Sequence, residues 1–173
     1  MIEPKPISKE SVGQALDKAV RYRLLNEPRE AESICRDVLL ADPTNQHGVV
    51  TLLLALTDQF AREFGSHLDN PRKLLPQIDD EYQRIYYEGV VFERWGKAQL
   101  AQNRPQHVAH DWIRQAMSFY VAAEKIRPAG NDDCILRWNA CARMLNDAPT
   151  MVDDRGTLSA ETLNGFDDEV PLL

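Results

Sequence analysis

The chain has 173 residues, 43% of them apolar, which is enough to bury a core as one domain or one short repeat array. Its formal net charge of −7 argues against a nucleic-acid partner, because neutralising phosphates requires clustered lysine and arginine. The longest mainly apolar run, 49–56, is too short to cross a bilayer, and the start MIEPKP lacks the apolar stretch of a signal peptide. We therefore expect a cytoplasmic protein with no membrane partner.

Apolar residues recur at helical spacing along most of the chain, and prolines separate the periodic segments. After an extended segment, 1–7, helices are predicted at about 8–25, 29–40, 45–60, 79–102, 106–127 and 131–146. The segment 64–78 contains two prolines and is predicted to be an insertion or an irregular stretch, with room only for a short helical piece near 72–75. No strand is predicted, so the expected fold class is all-α.

Two of the predicted turns have the same chemistry, Asn26-Glu-Pro and Asn103-Arg-Pro. The helix after the first turn stops at Pro43, 15 residues beyond Pro28, whereas the helix after the second stops at Pro128, 23 residues beyond Pro105. Eight extra residues correspond to roughly 12 Å of helix. One extended hairpin, longer than its neighbours, is the expected result.

The three cysteines are odd in number and lack paired spacing. Cys35, Cys134 and Cys141 each fall where a helix needs a small apolar residue. Reduced core thiols without a disulfide are therefore predicted.

The last segment, 148–173, is predicted to be an acidic, flexible tail outside the helical domain, which covers 8–147. Between 151 and 173, six carboxylates stand against Arg155 alone, a balance of −5, so the rest of the chain carries only −2. Asp167, Asp168 and Glu169 are flanked by apolar residues, namely Phe166, Val170, Leu172 and Leu173. This pattern is typical of short motifs that dock into grooves, and a passive solubilising end is the equally weighted alternative.

The segment 26–45 resembles the second half of a tetratricopeptide (TPR) repeat, with Ala31, Cys35 and Pro43 at the spacing of that family's Ala-x3-Phe and Pro pattern. Four further segments fit the family's Trp-x2-Leu-Gly-x2-Tyr first helix to differing degrees. They are Ala15-Lys18-Ala19-Tyr22, Val49-Leu52-Leu53-Leu56, Phe92-Trp95-Gly96-Gln99, in which Gln99 departs from the expected Tyr, and Trp138-Cys141-Ala142-Leu145. The resemblance covers about 12–146 and implies three degenerate repeats plus a terminal helix. It also implies a TPR-like helical-hairpin array, a right-handed α-solenoid.

In the TPR family the first helices of the repeats line a concave groove that binds a peptide or a partner helix. The resemblance places the corresponding groove residues of this chain at Leu16, Val20, Arg23, Leu24, His47, Val50, Leu54, Asp58, Asn139 and Arg143. Several are apolar, which suits either a foreign segment with apolar anchors or coverage by the tail, the first helix or a second subunit. Tyr87, which cannot share the buried face of its neighbour Tyr86, is a second candidate contact, and a homodimer is compatible with it.

A non-catalytic protein-interaction module with an adaptor or scaffold role, without cofactor or metal, is the expected function. One alternative is a small cytoplasmic TPR chaperone that holds an apolar client segment. Another is a metal-dependent enzyme or enzyme subunit that uses His107 and His110, which lie one helical turn apart. That signal is weak, because no second ligand pair with recognisable spacing accompanies the histidines.

Overall fold

The computed structural model describes residues 2–61 and 68–147, and within these ranges the chain is helical without any strand. The α-helices are α1 Val12–Leu24, α2 Pro28–Ala41, α3 Gln46–Asp58, α4 Asp69–Arg72, α5 Glu81–Ala101, α6 Gln106–Glu124 and α7 Asp133–Asn146. The all-α prediction is confirmed. The predicted tail and part of the predicted irregular segment lie outside the described residues. None of the described helices is long and apolar enough to cross a membrane.

The two Asn-x-Pro turns close their hairpins in the same way. Asn26 and Asn103 both have positive φ, 65° and 55°, a conformation that asparagine tolerates better than most residues. The amide after each asparagine donates a hydrogen bond to the carbonyl five residues back, at 2.9 Å from Glu27 to Tyr22 and at 3.0 Å from Arg104 to Gln99. This is the hydrogen bond of a Schellman motif, which ends a helix at a residue with positive φ. Helices α1 and α5 therefore end at these turns.

Two predicted details are wrong at the level of a few residues. The short helix begins at Asp69 and ends at Arg72, before the predicted 72–75, because Pro71 lies in its first turn, where a missing amide proton costs nothing. Helix α6 ends at Glu124 and continues only as tight turns towards Pro128. With 19 residues it exceeds α2, which has 14, by about 7 to 8 Å, less than the predicted 12 Å.

Sequential helices are the main packing neighbours. Helix α1 packs on α2 and α2 on α3, while α5 packs on α6 and α6 on α7. Helix α3 also contacts α1 and α5, and so connects the two halves of the molecule. The core of the first half contains small buried side chains, namely Ala19, Ala31, Cys35 and Ala55, together with Leu52.

Helices α5 and α6 approach each other closely at two glycines of α5. A Cβ on Gly89 would lie 2.6 Å from the Tyr120 ring. A Cβ on Gly96 would lie 2.7 Å from a side-chain carbon of Ile113 and 2.9 Å from the carbonyl oxygen of Ala109. Because real Cβ atoms do not approach other atoms so closely, only glycine fits at either position without rearrangement.

Candidate functional site

A carboxylate on α3 joins three helices. Asp58, the last residue of α3, accepts a hydrogen bond of 2.7 Å from Nε of Arg23 on α1. Its other oxygen accepts a hydrogen bond from Arg94 on α5, which also donates to Oγ1 of Thr57 at 2.8 Å. One carboxylate therefore pairs with two arginines, and the three side chains are each only 18% to 25% exposed.

A second carboxylate does the same for α5, α6 and α7. Glu93, only 1% exposed, accepts hydrogen bonds from Nζ of Lys97 at 2.5 Å and from the Tyr120 hydroxyl at 2.6 Å. Arg137 of α7 donates to the same carboxylate at 3.3 Å. A buried carboxylate is tolerated only where such partners replace water. Glu93 is therefore a buried charge with specific hydrogen-bond partners in an otherwise apolar interface.

The pKa values of this group support an ionised Glu93. Burial alone raises the pKa of Glu93, but the hydrogen bonds from Lys97 and Tyr120 and the charges of Lys97 and Arg137 outweigh it, and the net pKa is lowered. Burial and the adjacent Glu93 charge raise the pKa of Tyr120, so its hydroxyl stays protonated as the donor. Burial opposes the charge of Arg137, yet Glu93 raises its pKa overall.

The two ion clusters lie close together, because Glu93 and Arg94 are consecutive residues of α5. Burial lowers the pKa of Arg94, and the negative charge of Asp58 opposes this shift. The positive charges of Arg23 and Arg137 lower the pKa further, so the three arginines lie within electrostatic range of one another. We call Arg23, Arg94, Lys97 and Arg137, with Asp58 and Glu93, the cationic face. Four cations against two carboxylates leave a surplus of two positive charges, or one if the nearby Asp133 is counted, on a chain whose net charge is −7.

The structure brings some of the predicted groove residues together and disperses others. Arg23 and Asp58 are bonded to each other. Leu16, expected to face a ligand, is 5% exposed and belongs to the core formed with Val12 and Val38. The remaining predicted residues range from half-buried to exposed: Val20, Val50, Leu54 and Asn139 are half-buried, and Leu24, His47 and Arg143 are exposed.

Arg143 lies away from the cationic face. It is two residues, or about 200° of helix rotation, from the buried Cys141, whose sulfur lies within electrostatic range of Glu93. Arg137 is four residues from Cys141 and shares its side of α7. The basic residue of α7 that joins the site is thus Arg137 and not the predicted Arg143.

Tyr87 is placed differently from the prediction. Its ring is half-buried, packs against the cores of both halves of the molecule, and meets the Tyr86 ring edge-on at 5.1 Å. Burial raises the pKa of Tyr87, and Arg23 and Arg137 both lie close enough to oppose that shift. Tyr87 therefore borders the cationic face between its two ion clusters.

Sequence reasoning missed Arg94 and Arg137. The only local signal was Glu93 four residues before Lys97, the spacing of a helical ion pair. The other pairs join residues 35 to 44 positions apart, and no periodicity in the sequence identifies such partners.

The histidine pair considered for a metal is poorly placed for one. His107 is exposed and His110 is half-buried, with its pKa lowered by burial and by Arg114. Asp111, the nearest carboxylate in sequence, pairs with Arg114 at 3.1 Å. Among residues 2–61 and 68–147, no three His, Cys, Asp or Glu side chains lie close enough together to hold a metal ion.

All three cysteines are buried with free thiols, Cys35 in the core of the first half and Cys134 and Cys141 in the core of the second. Burial, together with the neighbouring Glu32 charge and against that of Arg23, raises the pKa of Cys35 to about 11. Burial and Glu93 raise the pKa of Cys141 to about 12. Both thiols are therefore poor nucleophiles near neutral pH.

Comparison with known proteins found no protein-family model, no curated protein and no solved structure that matches the chain.

Proposed function

We propose that the chain is a cytoplasmic, non-catalytic interaction module of the TPR type, an adaptor or scaffold that binds a carboxylate-bearing segment of another protein. The binding surface is the cationic face, which extends over α1, α3, α5 and α7. These helices correspond to the first helices of the repeats in the TPR pattern.

The packing of two hairpins supports a repeat architecture. In the first, Ala19 of α1 shares a buried cluster with Ala31 and Cys35 of α2. In the second, Gly96 of α5 lies against Ala109 and Ile113 of α6. In both, one small residue of the first helix meets a small residue and, four positions later, a larger one in the second helix. This is the spacing that the TPR pattern uses for close helix contact.

The observation that carries the proposal is the surplus of positive charge on the cationic face. Lys97 and Arg137 are 45% and 34% exposed, so both have donors left for an incoming carboxylate. Hydrogen bonds between arginine or lysine and a carboxylate are among the stronger ones, and partial burial reduces their screening by salt.

A second candidate function, holding an apolar client segment, is favoured by one observation. Leu24 and Leu25 are adjacent at the end of α1 and are 83% and 64% exposed. An apolar ligand anchored there would bind with little dependence on salt, whereas an acidic ligand would weaken as salt rises.

The test uses fluorescent nine-residue peptides with zero to four acidic residues on a fixed apolar background, titrated into the full chain at low and high salt. The variant Arg23→Gln/Lys97→Gln removes the surplus while leaving each carboxylate one arginine. The matched control, Arg114→Gln/Lys125→Gln, removes the same charge from exposed positions of α6 and its end.

We expect affinity to rise with the number of carboxylates and to fall about ten-fold in the first variant but not in the control. An equal loss in the control would reduce the effect to net charge and overturn the proposal. Affinity that follows apolar content and ignores salt would favour the chaperone candidate instead.

A further inference from the structure

The face proposed to bind acidic segments belongs to a chain that carries such a segment itself. The residues 166–169, Phe-Asp-Asp-Glu, put three consecutive carboxylates next to an aromatic ring, and Val170 and Leu172 follow. From 151 to 173 the charge balance is −5, so the acidity of the chain is concentrated there. The described helices hold the opposite local charge on the cationic face.

We propose that the segment 166–172 occupies the cationic face of its own molecule and competes with the acidic segment of a partner. This inference rests on the proposed function, because it assigns a competing ligand to the same site. In the bound form, the carboxylates of Asp167, Asp168 and Glu169 accept hydrogen bonds from Lys97 and Arg137, the two most exposed cations of the face. Phe166 or Val170 lies against the Tyr87 ring, which borders the face.

The charges are opposite in sign, with three carboxylates in the segment for the two surplus positive charges of the face. Asp58 and Glu93 each already pair with two cations, so the face has two positive charges that its own carboxylates do not balance. The three carboxylates of 167–169 balance that surplus but are repelled by the negative charge of Asp133. This repulsion orients the acidic residues towards Lys97 and away from the start of α7, where Asp133 lies. A wholly apolar occupant would cover these cations without any counter-charge, at a desolvation cost.

The distance is short enough for docking within one molecule. Arg137 lies ten residues before Asp147, or about 15 Å along α7. Eighteen residues separate Asp147 from Phe166. A linker of that length spans up to about 60 Å when extended, and a random coil of it has an r.m.s. length of roughly 23 Å. Both exceed the roughly 15 Å from Asp147 to Arg137, and such tethers give effective concentrations of about a millimolar.

The first experiment is zero-length carbodiimide crosslinking of the dilute full chain, followed by peptide mapping. Acylation of Lys97 by an amine-reactive ester in the Asp167→Asn/Asp168→Asn/Glu169→Gln variant serves as the control, because Lys97 is 45% exposed and its amine must be shown to react. We expect a crosslinked product that joins Lys97 to one of residues 167–169. The exposed Lys73 and Lys125 should give no such product.

A mixture of natural-abundance and ¹⁵N-labelled chains identifies the molecule that supplies the segment. Products of a single isotope support docking within the molecule. Mixed-isotope products would show that a second copy supplies the segment. The absence of any Lys97 product with 167–169, although the Lys97 amine reacts in the acylation control, would overturn the inference.

The second experiment measures competition with a labelled peptide, GFDDEVPLL, which repeats residues 165–173. The variant Asp167→Asn/Asp168→Asn/Glu169→Gln should bind this peptide about ten-fold more tightly than the unmodified chain. This factor assumes an effective concentration of the tethered segment of about 1 mM and a dissociation constant of the segment for the face of about 0.1 mM. A matched variant with Asp153→Asn, Asp154→Asn and Glu161→Gln changes the charge equally and should bind like the unmodified chain. Equal affinity in all three proteins would overturn the inference.

The two proposals fail in different ways. If the acidic test peptides still lose affinity in Arg23→Gln/Lys97→Gln but neither the crosslink nor the competition is seen, the cationic face is a binding site and the tail is not its ligand. If the peptides do not depend on the cationic face at all, the proposed function itself fails.

Discussion

The hairpin of α1 and α2 and the hairpin of α5 and α6 are closed by the same turn and held together by different chemistry. The first is packed by small apolar side chains, with Ala19, Ala31 and Cys35 fully buried. The second brings α5 against aromatic and branched residues through two glycines and buries the carboxylate of Glu93. A common turn therefore sets only the reversal of the chain. The residues that face each other decide whether the interface is purely apolar or can hold a charged group.

The largest effect is expected where that charged group is removed. Glu93→Ala leaves the buried Tyr120 hydroxyl without its acceptor and Arg137 without its carboxylate, and should lower the free energy of unfolding by about 3 kcal/mol. Urea unfolding measures this. The matched change in the first hairpin, Glu32→Ala, removes a more exposed carboxylate bonded to Arg36 and Gln59 and should cost about 1 kcal/mol or less. Equal costs would mean that Glu93 is not a special feature of the second hairpin.

The same difference should appear as a dependence on pH. The pKa of Glu93 is lower in the folded chain than its ordinary value of 4.5, so its stabilising contribution is present above pH 4.5 and is lost as the pH falls further. Stability measured from pH 6 to pH 3 should therefore decrease less steeply in Glu93→Gln, which does not titrate. Parallel curves for the two proteins would contradict an ionised, stabilised Glu93.

The apolar interface of the first hairpin should resist enlargement. Ala31 of α2 is fully buried and packs against α1 and α3. Ala31→Leu should therefore overpack this contact and lower the free energy of unfolding by about 1 to 3 kcal/mol. The exposed Ala129, before α7, offers a control for Ala→Leu outside any core. An unchanged melting temperature for Ala31→Leu would show that Ala31 is not at a close contact.

The corresponding change in the second hairpin adds only a methyl group. Gly96→Ala places a Cβ 2.7 Å from Ile113 and 2.9 Å from a backbone oxygen, and should cost about 1 to 2 kcal/mol despite the better helix propensity of alanine. Gly13→Ala, in α1, meets nothing within 4 Å and should instead stabilise by up to about 1 kcal/mol. Stabilisation by both substitutions would mean that α5 and α6 lie further apart than the structure shows.

The turns should show the smallest effect and the same one in both hairpins. Position 103 has a φ of 55°, which alanine adopts less readily than asparagine. Asn103→Ala should therefore lower the free energy of unfolding by about 1 kcal/mol, whereas Asn103→Gly should leave it nearly unchanged. Asn26→Ala and Asn26→Gly give the comparison for the first turn, at φ 65°. Thermal unfolding of the four variants would show whether the two turns are energetically alike.

Most of the helices could be predicted from the chain because their limits depend on nearby residues. Asn45 and Asp80 cap α3 and α5 by accepting hydrogen bonds from amides three residues on, at 2.9 and 2.7 Å. The apolar stripe that contains Ala19 and the one that contains Ala31 are both buried as their periodicity indicates. The misplaced short helix before α5 had two prolines and little periodicity, so local signals there were weak.

Local sequence patterns identified only part of the proposed binding surface. A resemblance to a repeat pattern indicated Arg23 and Asp58 but assigned them to a ligand, and the structure shows that they bond to each other. It also indicated Leu16, which the packing of α1 against α2 buries. Local sequence determines which face of a helix is apolar, because that depends on residues three and four positions apart. Whether Arg94 meets Asp58, or Arg137 meets Glu93, depends on how separate helices pack across 36 and 44 positions of chain, and only the folded core establishes that.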